Sequence, residues 1–118
     1  MNPTEKLAIR RKKVLGKSIW ETSRITGDFT LRSGATSHVY FDKYLFEADP
    51  EILTHIALEM SDLLPAGTER VVGLEMGGIP LATAIGLSKP IKAGFCRKVP
   101  KEYGTCLQVE GGVKPGEK

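Results

Sequence analysis

Residues 71–80, reading VVGLEMGGIP, constrain this chain more than any other stretch. A β-forming run at 70–74 leads into a loop containing Gly77 and Gly78, an apolar helix-compatible segment follows at 79–87, and a second β-forming run occupies 91–96. Strand, glycine loop, helix and strand in that order predict a βαβ unit, and hence an α/β fold with a parallel sheet flanked by helices.

The flanking sequence fills in the rest. Leu7, Ala8, Val14 and Leu15 recur at helical spacing among charges, predicting an amphipathic first helix over 4–17 that ends near Gly16. The β-rich stretch 29–46 is broken by Ser33 and Gly34, so two short strands around a tight turn are expected. Asp49, Pro50 and Glu51 read as N-cap, first helical residue and first-turn acid of a helix whose apolar positions run from Ile52 to Leu64 and which Pro65 and Gly67 close. Beyond Cys96 the basic residues Arg97, Lys98 and Lys101 lead through Tyr103 and Gly104 to a β-like run at 105–109, which predicts a hairpin or flexible flap. The closing GGVKPGEK is a turn of the kind that introduces a further strand.

With 118 residues, 41% of them hydrophobic, the chain can build one modest core. A net charge of +3, with only Arg10 to Lys13 forming a basic run and no aromatic residues interleaved, argues against nucleic acid as a partner. Cys96 and Cys106 fit neither a redox pair nor a zinc site, and no apolar stretch reaches the roughly 20 residues needed to span a bilayer. A cytoplasmic protein without membrane or metal-cage chemistry is expected.

Three groups of residues could carry chemistry. The loop at Glu75, Met76, Gly77 and Gly78 could hold a phosphate on backbone amides at a helix start, or could be a plain βα turn; its glycines do not follow GxGxxG, and it lacks the lysine and hydroxyl of a Walker loop. Arg97, Lys98 and Lys101 could be a solvated surface, or cations that close over a polyphosphate leaving group. In TLRSGATSHVYFD, Arg32 offers a planar positive fork, Gly34 allows close backbone approach, and Tyr40 with Phe41 offers an aromatic wall for a small planar anion; a β-hairpin with buried aromatics is the alternative.

Taken together and in this order, FTLRSGATSHVYFD, VVGLEMGGIPLA and RKVPKEYGT followed by EGG resemble orotate phosphoribosyltransferases, which are type I phosphoribosyltransferases, over residues 27–118. The resemblance implies a pentosyl-transferring glycosyltransferase of pyrimidine biosynthesis: orotate displaces pyrophosphate from phosphoribosyl pyrophosphate, with magnesium bound mainly through that substrate, to give orotidine monophosphate. It implies substrate contacts from Arg32, Ser33, Gly34, Tyr40 and Phe41 on the pyrimidine side, and from Glu75, Met76, Gly77, Gly78 and Tyr103 on the pyrophosphate side. Arg97, Lys98 and Lys101 would be the catalytic cations, reaching the neighbouring site of a homodimer with shared active sites.

Some positions depart from the family pattern. Arg32 stands where lysine is common, Met76 and Gly77 stand where some members have tyrosine and lysine, and Tyr103 stands where many have histidine. Pyrophosphate contact from the loop would therefore come from backbone amides. The resemblance also implies a single phosphoribosyltransferase domain over 1–118, with 1–46 as N-terminal helix and orotate-side hood and 47–118 as the start of the α/β core. The family pattern continues past KPGEK into a further strand and a ribose 5-phosphate loop, so a C-terminally truncated fold and an inactive chain are expected from these residues alone. The competing readings are a non-catalytic binding or assembly fragment of the same fold, and a purine-type phosphoribosyltransferase relative.

Overall fold

The computed structural model describes residues 1–118 and divides them into two compact units, Met1–Ile52 and Leu53–Lys118. In the first unit, helix α1 spans Pro3–Ser23. Asn2 and Glu5 form a capping box: the Asn2 side chain accepts the Glu5 N–H at 2.8 Å, and the Glu5 carboxylate accepts the Asn2 N–H at 2.9 Å. The helix runs past Gly16, where sequence reading ended it, for two reasons. A Cβ at Gly16 would meet nothing within 4 Å, so the glycine costs only its intrinsic propensity, and Trp20 one turn later stacks on Phe41 at 6.1 Å. Tertiary packing overrides the local breaker.

Strands β1, Arg24–Thr30, and β2, Thr36–Phe41, pair antiparallel with an irregularity between Thr26 and Phe29. The expected turn between them is present, closed by Leu31 N–H to Ala35 O at 2.8 Å, and Gly34 takes the left-handed conformation at φ 88°. The second strand stops at Phe41 because Asp42 caps a short helix, α2, Lys43–Glu47, accepting the Tyr44 N–H at 3.0 Å. Fully buried Ser23 fastens this region: its hydroxyl accepts the Phe46 N–H and its carbonyl accepts the Asp42 N–H.

Helix α3, Pro50–Ser61, begins as its sequence predicts, with the Asp49 carboxylate accepting the N–H groups of Glu51 and Ile52 at 3.0 and 3.1 Å. It ends at Ser61, before the expected Leu64. The Ser61 hydroxyl donates back to Ala57 O at 2.6 Å, and Leu63 is 75% exposed, so no burial draws the last turn onward.

The second unit contains the expected βαβ unit: β3, Arg70–Leu74; α4, Gly78–Ser88; and β4, Lys92–Cys96, with β3 and β4 parallel in the register Arg70 to Lys92 through Leu74 to Cys96. A third strand, β5, Val109–Glu110, adds antiparallel to β4, making the sheet mixed, in the order β3-β4-β5. The β-like run at 105–109 is mostly irregular, and only Val109 is in a strand. Cys106 adopts φ 56° and donates its N–H to Tyr103 O, which bends the chain before it can extend.

Arg70 was legible only as the first residue of a strand. It is buried, and its guanidinium makes five hydrogen bonds: two to Glu117, the shorter at 2.6 Å, and three to the carbonyls of Ala93, Gly111 and Gly112. Glu117 also accepts the Lys114 N–H at 2.9 Å, and Lys118 O accepts from Glu69 and Arg70. The Arg70 hydrogen bonds hold the Glu117 carboxyl below its ordinary value of 4.5, against the opposing effect of desolvation. A depressed carboxyl contributes stability above its unfolded pKa, and that contribution is lost as pH falls through the folded value.

Urea unfolding at pH 7 and across the acid range is therefore expected to show Glu117→Gln as less stable at pH 7 and with a shallower acid loss; an unchanged acid slope would remove Glu117 from the account. Gly16→Ala should stabilise α1 by about 0.5–1 kcal/mol in the same assay, since the position is open and helical.

Candidate functional site

The loop between β3 and α4 sits at the carboxyl end of a parallel strand, where open α/β sheets bind ligands. Its shape follows from Gly73. A Cβ there would lie 2.2 Å from Gly78 O, so only glycine lets the start of α4 fold back onto the strand. The Glu75–Met76 peptide is cis. Gly77 is the N-cap of α4 and supplies no side-chain cap, and the N–H groups of Met76 and Gly77 donate to no protein acceptor. Unpaired amides at the positive end of an 11-residue helix are suited to an anion.

Glu75 does a different job from the rest of the loop. Its N–H donates to Cys96 O at 2.8 Å, and its carboxylate accepts the Lys98 N–H at 2.5 Å. These two bonds tie the loop to the base of the flap. The acid is thereby engaged with backbone, which leaves the amides as the loop's free polar groups.

In the flap, Arg97 and Lys101 converge on Glu110, with Arg97 Nη2 at 3.3 Å and Lys101 Nζ at 3.1 Å from the same Oε2. The Lys101 ammonium also lies 5.5 Å from the centre of the Tyr103 ring. Lys98 is exposed and has no carboxylate partner. Glu110 is held below the ordinary carboxylate range, chiefly by the Lys101 hydrogen bond and further by Arg97. Gln108 donates to the carbonyls of Arg97 and Lys98 at 3.1 and 3.2 Å. Sequence reading gave roles to neither Glu110 nor Gln108, although the acid of EGG near three cations was a usable signal.

The residues expected on the pyrimidine side lie in the first unit. Arg32, Ser33 and Gly34 form the exposed β1–β2 turn, where the Ser33 hydroxyl accepts the Ala35 N–H at 3.3 Å. Tyr40 and Phe41, as neighbours on a strand, face opposite sides. Tyr40 packs on Phe29 at 5.5 Å, while Phe41 packs between Trp20 and Phe46 at 6.1 and 6.2 Å. His38, earlier on the same strand, hydrogen-bonds Asp28 at 3.0 Å. The two units thus present one group each: Arg32 to Gly34 with Tyr40 and Phe41 in the first, and Glu75 to Gly78 with Arg97, Lys98, Lys101 and Tyr103 in the second. A hollow of about 230 Å³ lined by Leu64, Thr68, Lys89 and Ile91 lies at the other end of the strands and contains none of them.

No protein-family model matches the chain. It is 52% identical over 97 residues to the orotate phosphoribosyltransferase of a Nocardioides species, an alignment covering 82% of this chain and 54% of that protein. The chain belongs to the orotate phosphoribosyltransferase family. Solved structures agree on the fold: the Mycobacterium tuberculosis orotate phosphoribosyltransferase superposes with a TM-score of 0.74 at 28% identity over 87% of this chain and 61% of its own. The complex of that enzyme with 5-phospho-α-D-ribosyl 1-diphosphate gives 0.68 at 25% identity, over 87% and 57%. The expected type I phosphoribosyltransferase-like α/β fold is therefore present, and the chain spans about half the length of the curated relatives it matches.

Gly73→Ala tests the loop geometry: the added methyl must push Gly78 away, with an expected loss of about 1–3 kcal/mol in urea unfolding and shifted amide resonances at 75–79. Unchanged resonances there would show that the loop does not depend on the close approach.

Proposed function

We propose that the chain carries the pyrimidine and pyrophosphate subsites of an orotate phosphoribosyltransferase, which moves the phosphoribosyl group from phosphoribosyl pyrophosphate to orotate and releases orotidine monophosphate and pyrophosphate. The observation that carries this reading is the Glu75 carboxylate accepting the Lys98 N–H, because it joins unpaired helix-start amides to a run of three cations. An anion on Met76 and Gly77 would have Lys98 beside it and Arg97 and Lys101 within the same flap.

Pyrophosphate gains negative charge as its bond to the ribose carbon breaks, so fixed amides and cations stabilise the transition state more than the bound substrate. Positioning supplies the rest. Arg32 and the backbone of Ser33 and Gly34 would face the orotate carboxylate and carbonyls, with Tyr40 against the ring. Tyr103 would lie against the pyrophosphate side, its ring already associated with Lys101.

No group of three His, Cys, Asp or Glu side chains that could hold a metal ion is found. Magnesium enters this reading on the substrate's phosphates, its usual mode with phosphorylated substrates. A homodimer with shared sites and a cytoplasmic location belong to the same proposal; no helix is long and apolar enough to cross a membrane, and both cysteines are free.

Calorimetry tests the two subsites separately. Inorganic pyrophosphate should bind saturably and weaken roughly three- to tenfold on Lys98→Gln, as expected for one partly screened charge. Tyr40→Ala should weaken orotate and leave pyrophosphate unaffected. Absence of saturable pyrophosphate binding sinks the reading, and pyrophosphate binding with adenine in preference to orotate would favour a purine-type relative.

A further inference from the structure

The relation between Glu110 and the flap cations goes beyond charge balance. We propose that Glu110 is a positioning residue that competes with pyrophosphate for Arg97 and Lys101, keeping the two cations gathered at the flap base until the anion draws them off. The proposal rests on the pyrophosphate reading above.

The geometry makes Glu110 the fixed member of this group and the cations the movable ones. Glu110 is on β5, with its backbone in register with Phe95 of β4, whereas Arg97 and Lys101 reach it on long side chains. Both meet the same oxygen, so one negative charge is divided between two positive ones. The Arg97 contacts, at 3.3 and 3.4 Å, are at the long end of hydrogen bonding. The Arg97 side chain is 40% exposed, which screens the pair and weakens it further. A pyrophosphate offers several charges and many acceptor oxygens, and so outbids one carboxylate.

Release needs no rearrangement of the sheet. The flap base is held by backbone and Gln108 bonds that involve neither cation's charged group: Arg97 N–H to Gln108 O at 2.8 Å, Lys101 N–H to Leu107 O at 3.2 Å, and Gln108 to the carbonyls of Arg97 and Lys98. Side-chain rotation alone can carry the guanidinium and ammonium groups off Glu110. Lys98, which has no carboxylate partner, is available for first contact with the anion.

The test uses inorganic pyrophosphate and the intact chain. Calorimetry should show Glu110→Gln binding pyrophosphate roughly three- to tenfold more tightly than the parent, as removal of a competing partly exposed charge implies, with Glu110→Asp close to the parent. Carbon-detected NMR titration of the Glu110 carboxyl in the unsubstituted chain supplies a readout that does not depend on a variant folding: saturation with pyrophosphate should raise its pKa toward the ordinary carboxylate value, because Lys101 and Arg97 have left it. Tighter binding by Glu110→Gln together with that rise supports the proposal. Equal or weaker binding by a folded Glu110→Gln, or a Glu110 titration that pyrophosphate does not move, overturns it while leaving the pyrophosphate site intact. If neither parent nor variant binds pyrophosphate, the site itself is wrong and the proposal falls with it.

Discussion

The Arg70 guanidinium is the point on which the second unit depends. A buried arginine is tolerable only when its donors are met, and the five bonds to Glu117, Ala93, Gly111 and Gly112 meet them all. Those acceptors come from β4, from the glycine turn after β5 and from the closing KPGEK segment. One side chain at the start of β3 therefore ties together three separate stretches, including the irregular backbone that follows β5. Cutting one partner would leave a charge among groups arranged for its opposite, which is costlier than never having had the pair.

From that anchored end the strands run toward the loop and the flap, where the polar groups are arranged on the opposite principle. Donors at the Arg70 end are saturated, whereas those of Met76 and Gly77 are left unpaired, and of the two cations on Glu110 Arg97 is held by long, partly exposed contacts and Lys101 by a closer one. Gly73 and Glu75 link the two regimes. The glycine lets α4 approach the strand, and the acid fastens the loop to the flap through backbone bonds that leave the cationic side chains free to move.

Much of this was legible in the sequence. The βαβ unit, the Asp49 cap and the Gly34 turn are local signals, carried by residues whose own conformational preferences match the fold, and each is present as read. The errors share one cause. Periodicity alone ends helix α1 at Gly16 and runs β2 on to Phe46, because neither the packing of Trp20 on Phe41 nor the capping by Asp42 is visible from it. The run at 105–109 looked like a strand because Cys106 gives no local sign of a left-handed turn. At the site, residue types were readable but their pairings were not. Arg70 with Glu117, and Glu110 with Arg97 and Lys101, join positions 47, 13 and 9 residues apart in the chain, and only the folded sheet brings them together.

The bond from Arg97 N–H to Gln108 O has a kinetic meaning. It closes the flap into a loop whose two ends already touch, so the entropy of bringing them together is lost once, when the sheet forms, and is not charged again when the tip moves. The root of the segment is thereby held in register with β4. Substitutions in 99–106 other than at Lys101, whose ammonium is paired with Glu110 on β5, leave that closing bond and the β4–β5 pairing in place.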